Sequence, residues 1–269
     1  MIIFDEKRYA EEILKDGYKT KKHQGRERCI IARYLRDQGK DDNYIKEKID
    51  SLYFEGKEYL TKDNLDMIYS RILEKANNYA YVFDITVDIY KEEMDIIINI
   101  QDEKAKNLLF VSLVYYKWAS QVFHLRYNSY KRNCIMIIEN DNELFKLAGI
   151  SKLKVQDRYK VFNYIYKNKL YITDTIKSTN YFFIPFAKNE GEVVLSINNY
   201  DNILGWLNYY LNPKEYRICI VCGKVFKPNN NKQKYCKKCA SFIKKNQTKE
   251  SMQKIRNEDK QKCEKIENT

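Results

Sequence analysis

Four cysteines in the last part of the sequence have the spacing of a metal site. Cys219 and Cys222 form one CxxC pair, Cys236 and Cys239 form a second, and thirteen residues separate the pairs. A CxxC turn presents two sulfurs to adjacent corners of a tetrahedron, and zinc is commonly held by four thiolates. Since four cysteines leave no open position for a water, the sequence predicts one structural zinc ion per chain. The alternative is a disulfide or a redox-active CxxC.

The residues around the cysteines indicate which elements position them. Gly223 directly follows the first pair, as the tight backbone of a zinc knuckle requires. Val225 and Phe226 suit a short strand, and residues 228–231 suit a turn. The second pair leads straight into a helical beginning at 240–245, which favours a treble clef over a zinc ribbon.

The same region carries most of the basic charge. Residues 214–269 contain 16 Lys and Arg against 6 Asp and Glu, a formal charge of +10 out of the chain's +12. Four zinc-bound thiolates reduce this to about +8. A basic surface suits an anionic partner such as nucleic acid, although a merely solubilising tail is the alternative. The best candidates for phosphate contacts are Lys237, Lys238, Lys244 and Lys245.

The middle of the sequence has the order of elements found in a winged helix. A strongly apolar helix is expected over 103–123, a short helix over 143–149 and a longer helix over 155–167. Strand-like runs follow at 170–173 and 181–186, with a further run at 193–197. The pattern at 202–211 fits either a helix or a strand.

The helix at 155–167 has two candidate faces. Four apolar residues at helical spacing are expected to be core: Val155, Tyr159, Phe162 and Tyr166. One position further on, the same spacing gives a polar recognition face consisting of Gln156, Lys160, Asn163 and Lys167. Lys177 would lie near the tip of the wing. The alternative is that these residues are the solvent side of a surface helix.

The first 85 residues predict several short helices. Helices are expected over 6–15 and 26–38, each ending near a glycine, with two more starting at caps Asp42 and Asp63. The expected fold class is therefore mainly α (α+β). Its predicted parts are a helical N-terminal domain at 1–85, a winged-helix-like domain at 86–212 and a four-cysteine zinc module with a basic tail at 213–269.

The cysteine segment resembles a known group of proteins. The runs CIVCGKVF and NNNKQKYCKKCA are similar to C-terminal zinc modules of uncharacterised prophage and mobile-element proteins from low-GC Gram-positive bacteria. The resemblance is firm over about 25 residues of the cysteine segment, and extends weakly to the 103–123 helix and the winged helix. It implies a role in a phage DNA transaction or in regulation, with no catalytic residues to carry over.

Several enzyme classes are disfavoured. An HNH nuclease needs a histidine within the clef, but the two histidines, His23 and His124, lie far upstream. There is no phosphate-binding GxxxxGK[ST] loop. Carboxylates such as Glu92, Glu93 and Asp95 have the helical spacing of a solvated face. We therefore expect a protein that is not an enzyme.

The sequence favours a nucleic-acid-binding protein, on DNA in preference to RNA, and the resemblance implies a phage-type protein that acts in replication initiation or transcriptional control. The alternative is an interaction protein that inhibits a host enzyme or a defence ribonucleoprotein, in the manner of an anti-CRISPR. The first residues lack a signal-peptide pattern, and the apolar run at 108–116 is too short to span a bilayer. We expect no membrane partner and a cytoplasmic location in a bacterial host cell.

Overall fold

The protein is mainly helical, as predicted. The computed structural model describes residues 2–21, 23–52, 56–127, 136–137, 141–176 and 179–267. The helices are α1 (Glu6–Asp16), α2 (Gln24–Asp37), α3 (Asp42–Asp50), α4 (Lys62–Asn78), α5 (Lys91–Ile98), α6 (Glu103–Tyr127), α7 (Asp141–Leu147), α8 (Val155–Lys167), α9 (Ile203–Leu211) and α10 (Lys237–Glu267). The strands are β1 (Val87–Tyr90), β2 (Met136–Ile137), β3 (Ile172–Ile176), β4 (Thr179–Phe183), β5 (Val193–Ile197), β6 (Arg217–Ile218) and β7 (Val225–Phe226).

The chain divides into two compact units, Met1–Asn198 and Asn199–Thr269. The first unit contains α1 to α8 together with two antiparallel sheets, β1–β5 and β2–β4–β3. The second contains α9, the β6–β7 hairpin and α10. The predicted three-domain division stays a prediction. In the described part of the chain, no helix has the length and apolar character needed to cross a membrane.

Side-chain caps set the starts of the N-terminal helices. Asp5 accepts a hydrogen bond from the Arg8 backbone and begins α1, and Gly17 ends that helix at a positive φ of 85°. The caps of α3 and α4 are Asp41 and Thr61, so the expectation of Asp42 and Asp63 was wrong by one and two residues. In each case the earlier residue is the one whose side-chain oxygen reaches the free N–H three residues on.

The N-terminal helices bury their apolar faces against one another. The shared core includes Ile13 of α1, Ile31 and Leu35 of α2, Ile45 of α3 and Ile72 of α4. Short helices of this kind are stabilised chiefly by such packing, because isolated helices of their length are marginal in water.

A buried carboxylate joins three helices of the first unit. Glu6 of α1 pairs with Arg33 of α2 at 2.5 Å and with Arg126 of α6 at 2.6 Å. It also accepts a hydrogen bond from the backbone N–H of Val82 at 3.2 Å. Only 4% of the Glu6 side chain is exposed, so these donors compensate for the loss of its hydration.

Strand β1 was not predicted, and α5 was indicated only by the helical spacing of its carboxylates. Strand β1 pairs with β5, which places Val87 opposite Ile197, more than one hundred residues further on. In α5, Glu92 and Asp95 are exposed as expected, but Glu93 is fully buried. The expectation of a solvated face was therefore wrong for Glu93.

Glu93 can be buried because three donor groups make four hydrogen bonds to its carboxylate. The Lys117 ammonium lies 2.9 and 3.0 Å from its two oxygens. The backbone N–H groups of Tyr90 and Lys188 donate to it at 2.8 and 2.7 Å. Lys117 also lies over the Tyr90 ring, 4.1 Å from its centroid. The contacts made by this one side chain link α5, α6 and the segment after β4.

Helix α8 has the predicted bounds but buries a different face. Val161 and Ile165 are its buried residues. Val155, Tyr159 and Tyr166 are exposed, so the expectation that they form the core stripe was wrong. Phe162 is partly buried and packs edge-on against Tyr171. The β-branched residues Val161 and Ile165 face the interior, and the amphipathic tyrosines face solvent.

Candidate metal centre

The four predicted cysteines come together in the second unit. Each can offer a sulfur, and the four sulfurs of Cys219, Cys222, Cys236 and Cys239 all lie within 4.8 Å of one another. The sulfurs of Cys222 and Cys236 are 3.8 Å apart. Cys219 and Cys236 are buried, whereas Cys222 and Cys239 are partly exposed. This cluster could hold a metal ion.

A tight turn between β6 and β7 positions the first pair of cysteines. The Gly223 N–H donates to the carbonyl oxygen of Cys219 at 2.9 Å, and the Cys219 N–H donates to the carbonyl oxygen of Lys224 at 2.9 Å. Gly223 has a φ of 68°, in the left-handed region where a residue with a Cβ is strained. Beside the turn, Ile218 pairs with Val225 across the hairpin. The predicted strand at Val225 and the predicted role of Gly223 are both observed.

The second pair lies at the start of α10. Cys236 immediately precedes the helix, and its carbonyl oxygen accepts a hydrogen bond from Ala240 at 2.9 Å. Cys239 therefore falls within the first turn. The backbone N–H of Cys236 points at the sulfur of Cys219, 3.4 Å away. The N-terminal end of a helix carries partial positive charge, which would stabilise the negative charge of a metal-bound cysteine cluster beside it.

The thiol environments differ in electrostatic character. Burial opposes ionisation of Cys219, but hydrogen bonds from the backbones of Cys236, Cys222 and Val221 lower its pKa to about 6. Burial raises the pKa of Cys222. The pKa of Cys239 is also raised, by burial and then by the neighbouring Cys222 and Cys236 side chains. Of the three thiols whose pKa is shifted, Cys219 is thus the one whose thiolate form is favoured, and a bound dication would displace the protons of its other ligands.

Two residues outside the cysteine segment support the site. The Asn199 side chain donates to the carbonyl oxygen of Cys222 at 2.7 Å. Trp206 of α9 is buried, and its indole N–H donates to the Asn199 carbonyl at 2.9 Å. Sequence reasoning missed both residues, since neither is a ligand and both lie upstream of the proposed boundary at Pro213. Their amide and indole types carry no signal for a metal site on their own.

The lysines predicted to contact phosphate lie on the helix that follows the cysteines. Lys237 and Lys238 are in the first turn of α10, and Lys244 and Lys245 lie two turns further along. All four are exposed. Among the described residues they form no ion pair with a carboxylate. Their ammonium groups are thus available to an external anion.

The other predicted contact residues lie in the first unit. On α8, Gln156, Lys160 and Lys167 are exposed and Asn163 is partly exposed. Lys160 forms a surface ion pair with Asp157 at 3.1 Å. Lys177 lies outside the described residues. The predicted nucleic-acid contacts therefore divide into one set on α8 and one on α10.

The four thiols and the neighbouring lysines are the features of this chain that bear on its chemistry. Comparison of the chain with protein-family models, with curated proteins and with solved structures gives no match.

Proposed function

We propose that Cys219, Cys222, Cys236 and Cys239 bind one structural zinc ion. Zinc–sulfur bonds of about 2.3 Å in a tetrahedron separate neighbouring sulfurs by about 3.8 Å. The distance between Cys222 and Cys236 is 3.8 Å, which agrees with that value. Four thiolates complete the coordination shell and leave no position for a water. The metal is accordingly assigned a structural role and no part in a reaction.

We propose a treble clef as the fold of this zinc site. Its support is the order of the elements: the β6–β7 hairpin, whose tight turn carries one ligand pair, and then a helix start that carries the second pair. The zinc would fix the first turn of α10 against the hairpin. The exposed lysines of α10 would then be presented on an ordered helix.

We also propose that the middle of the first unit is a winged helix. The chain runs helix α6, strand β2, helices α7 and α8, then strands β3 and β4. Strand β4 lies between β2 and β3 in an antiparallel sheet. This order and pairing support the proposal, and α8 takes the position of the recognition helix.

From these parts we infer a nucleic-acid-binding protein. The observation that carries the inference is the thiol cluster at the start of a helix bearing Lys237, Lys238, Lys244 and Lys245, all exposed. Lysines held on a rigid element neutralise phosphates and release counterions, which is the main source of affinity for nucleic acid. Because the cysteine segment resembles prophage zinc modules, we propose a role in phage replication initiation or transcriptional control.

The proposal is tested by fluorescence anisotropy with the full chain and labelled DNA or RNA over a range of salt concentrations. Replacing all four of these lysines by alanine should weaken binding and flatten its salt dependence. Each lost phosphate contact lowers the slope of log K against log salt by about 0.9 on duplex DNA. Four lost contacts therefore lower the slope by about 3.6.

A variant with the same loss of charge is the control. It replaces four exposed lysines of the first unit, namely Lys7, Lys40, Lys62 and Lys104. It should keep a slope close to that of the native protein. Equal losses in both variants would contradict a specific role for α10. If the native chain binds no duplex, single-stranded DNA or RNA at low salt, the nucleic-acid function is wrong, and a host-protein target becomes the better hypothesis.

A further inference from the structure

The solvent side of α8 repeats every seven residues. Seven residues advance an α-helix by about 10.5 Å and return to within about 20° of the same direction. Three rows of side chains follow this repeat: a tyrosine row, an amide row and a lysine row, formed by Tyr159 and Tyr166, by Gln156 and Asn163, and by Lys160 and Lys167. Each half of the helix thus presents one aromatic ring, one amide and one ammonium group side by side.

The tyrosine row is not required for packing. Tyr159 is 66% exposed and Tyr166 is 48% exposed. The core side of the helix is formed by Val161 and Ile165. Within the described part of the chain, neither tyrosine has a ring partner or a hydrogen bond from its hydroxyl group. Two aromatic rings on one exposed helix face are therefore open to an external ligand.

The charge around these rings suits a polyanion. Residues 151–169 contain six Lys and Arg and a single acid, Asp157. That acid is paired with Lys160 at 3.1 Å, and the Lys160 side chain is 78% exposed. Such surface pairs contribute little stability, so a phosphate can take the place of the carboxylate. A partner with regularly spaced negative charges and flat apolar groups matches the lysine row and the tyrosine row.

We propose that α8 binds an unpaired nucleic-acid strand, with Tyr159 and Tyr166 stacked on bases and Lys160 and Lys167 on phosphates. This inference rests on the proposed nucleic-acid function and specifies its substrate. In a duplex the faces of the bases are covered by their neighbours, so an aromatic side chain stacks on bases mainly where the strand is unpaired. The two tyrosines lie about 10.5 Å apart along the helix, well beyond the 3.4 Å step between neighbouring nucleotides of a stacked strand, so they would bind bases that are not adjacent in the sequence.

The test compares labelled single strands of about 12 nucleotides, as DNA and as RNA, with a duplex of the same sequence. The full chain carries Tyr159→Ala, Tyr166→Ala or both. Each substitution should weaken single-strand binding at least about fivefold, since stacking on an aromatic side chain contributes substantially to each bound base. The salt slope should not change, because no charge is removed. Duplex binding should stay close to native.

Three controls separate stacking from general effects. Tyr59→Ala removes a ring that is 85% exposed elsewhere in the first unit, and it should leave affinity unchanged. Tyr159→Phe and Tyr166→Phe keep the ring face and should retain binding. The pair Lys160→Ala and Lys167→Ala should lower the single-strand salt slope by about 1.4.

The outcomes distinguish this inference from the proposed function. If the tyrosine variants bind single strands as the native chain does, while the α10 lysine variant is impaired, stacking on α8 is wrong and the nucleic-acid function stands. If the tyrosine variants lose duplex and single-strand binding equally, the proposed selectivity for an unpaired strand is wrong. If no nucleic acid binds the native chain, both proposals fail.

Discussion

At the scale of single residues, the buried pair of Glu93 and Lys117 is the most informative contact in the first unit. The Lys117 side chain is 10% exposed, and that of Glu93 is fully buried. Burial lowers the pKa of Lys117, and the opposing attraction of Glu93 limits that change. Each charge is tolerated because the other is present. Removing one partner therefore leaves the other charge unpaired in a medium of low polarity.

We predict that Lys117→Met destabilises the chain by about 3–5 kcal/mol, the usual cost of leaving a buried charge without its partner. The measurement is the free energy of unfolding in urea. Lys91→Met is the matched control, because Lys91 pairs with Glu192 at 3.1 Å where both side chains are more than half exposed. It should change stability by less than about 1 kcal/mol. Similar losses in both variants would contradict the account of Glu93.

The sequence identified single residues only where their spacing was local. The cysteines were predicted because two CxxC pairs need only a turn and a helix start to meet. Glu93 was misassigned because its partners, Lys117 and Lys188, come from distant parts of the chain. Asn199 and Trp206 were missed for the same reason, since they approach Cys222 only through the tertiary fold.

At the scale of elements, the bounds of α8 followed from its sequence, but its buried face did not. Tyrosine counts as apolar in a periodicity argument, yet its hydroxyl group makes it equally suited to an exposed position. Val161 and Ile165 are buried in the interior, whereas Tyr159 and Tyr166 are exposed to solvent. Strand β1 was missed because it is four residues long and its partner β5 is distant in sequence.

A pH-dependent contact is expected between α3 and α4. Asp50 forms an ion pair with Lys57 at 2.7 Å and accepts a hydrogen bond from the Tyr69 hydroxyl group. The hydrogen bonds from Lys57 and then from Tyr69 lower the pKa of Asp50. A carboxyl with a lowered folded pKa stabilises the protein above its unfolded pKa of about 3.9, and this contribution is lost as pH falls through the folded value.

We therefore predict that Asp50→Asn lowers the melting temperature at neutral pH and that the difference from native shrinks below about pH 4. The melting temperatures of both proteins are measured between neutral and acidic pH by thermal unfolding followed with circular dichroism. Asp66→Asn, at an exposed position on α4, should leave the melting temperature near native. A deficit for Asp50→Asn that stays constant into strong acid would contradict the ionic origin of the contact.

At the scale of the whole molecule, the basic charge and the cysteine cluster coincide. The region that holds +10 of the formal +12 also holds the four clustered thiols, and both belong to the second unit. The mainly helical class was predictable from composition and helical periodicity. The division at residue 198 was not evident from local sequence, because α9 joins the cysteine unit through contacts that Pro213 does not indicate.

Elemental analysis of the purified full chain tests the proposed zinc centre most directly. We predict about one zinc ion per chain, retained in Cys29→Ala and lost in Cys236→Ser, because only the second substitution removes one of the four proposed ligands. A chain expressed with zinc available that contains none would contradict the account. A Cys236→Ser variant that still contains one zinc ion per chain would also contradict it.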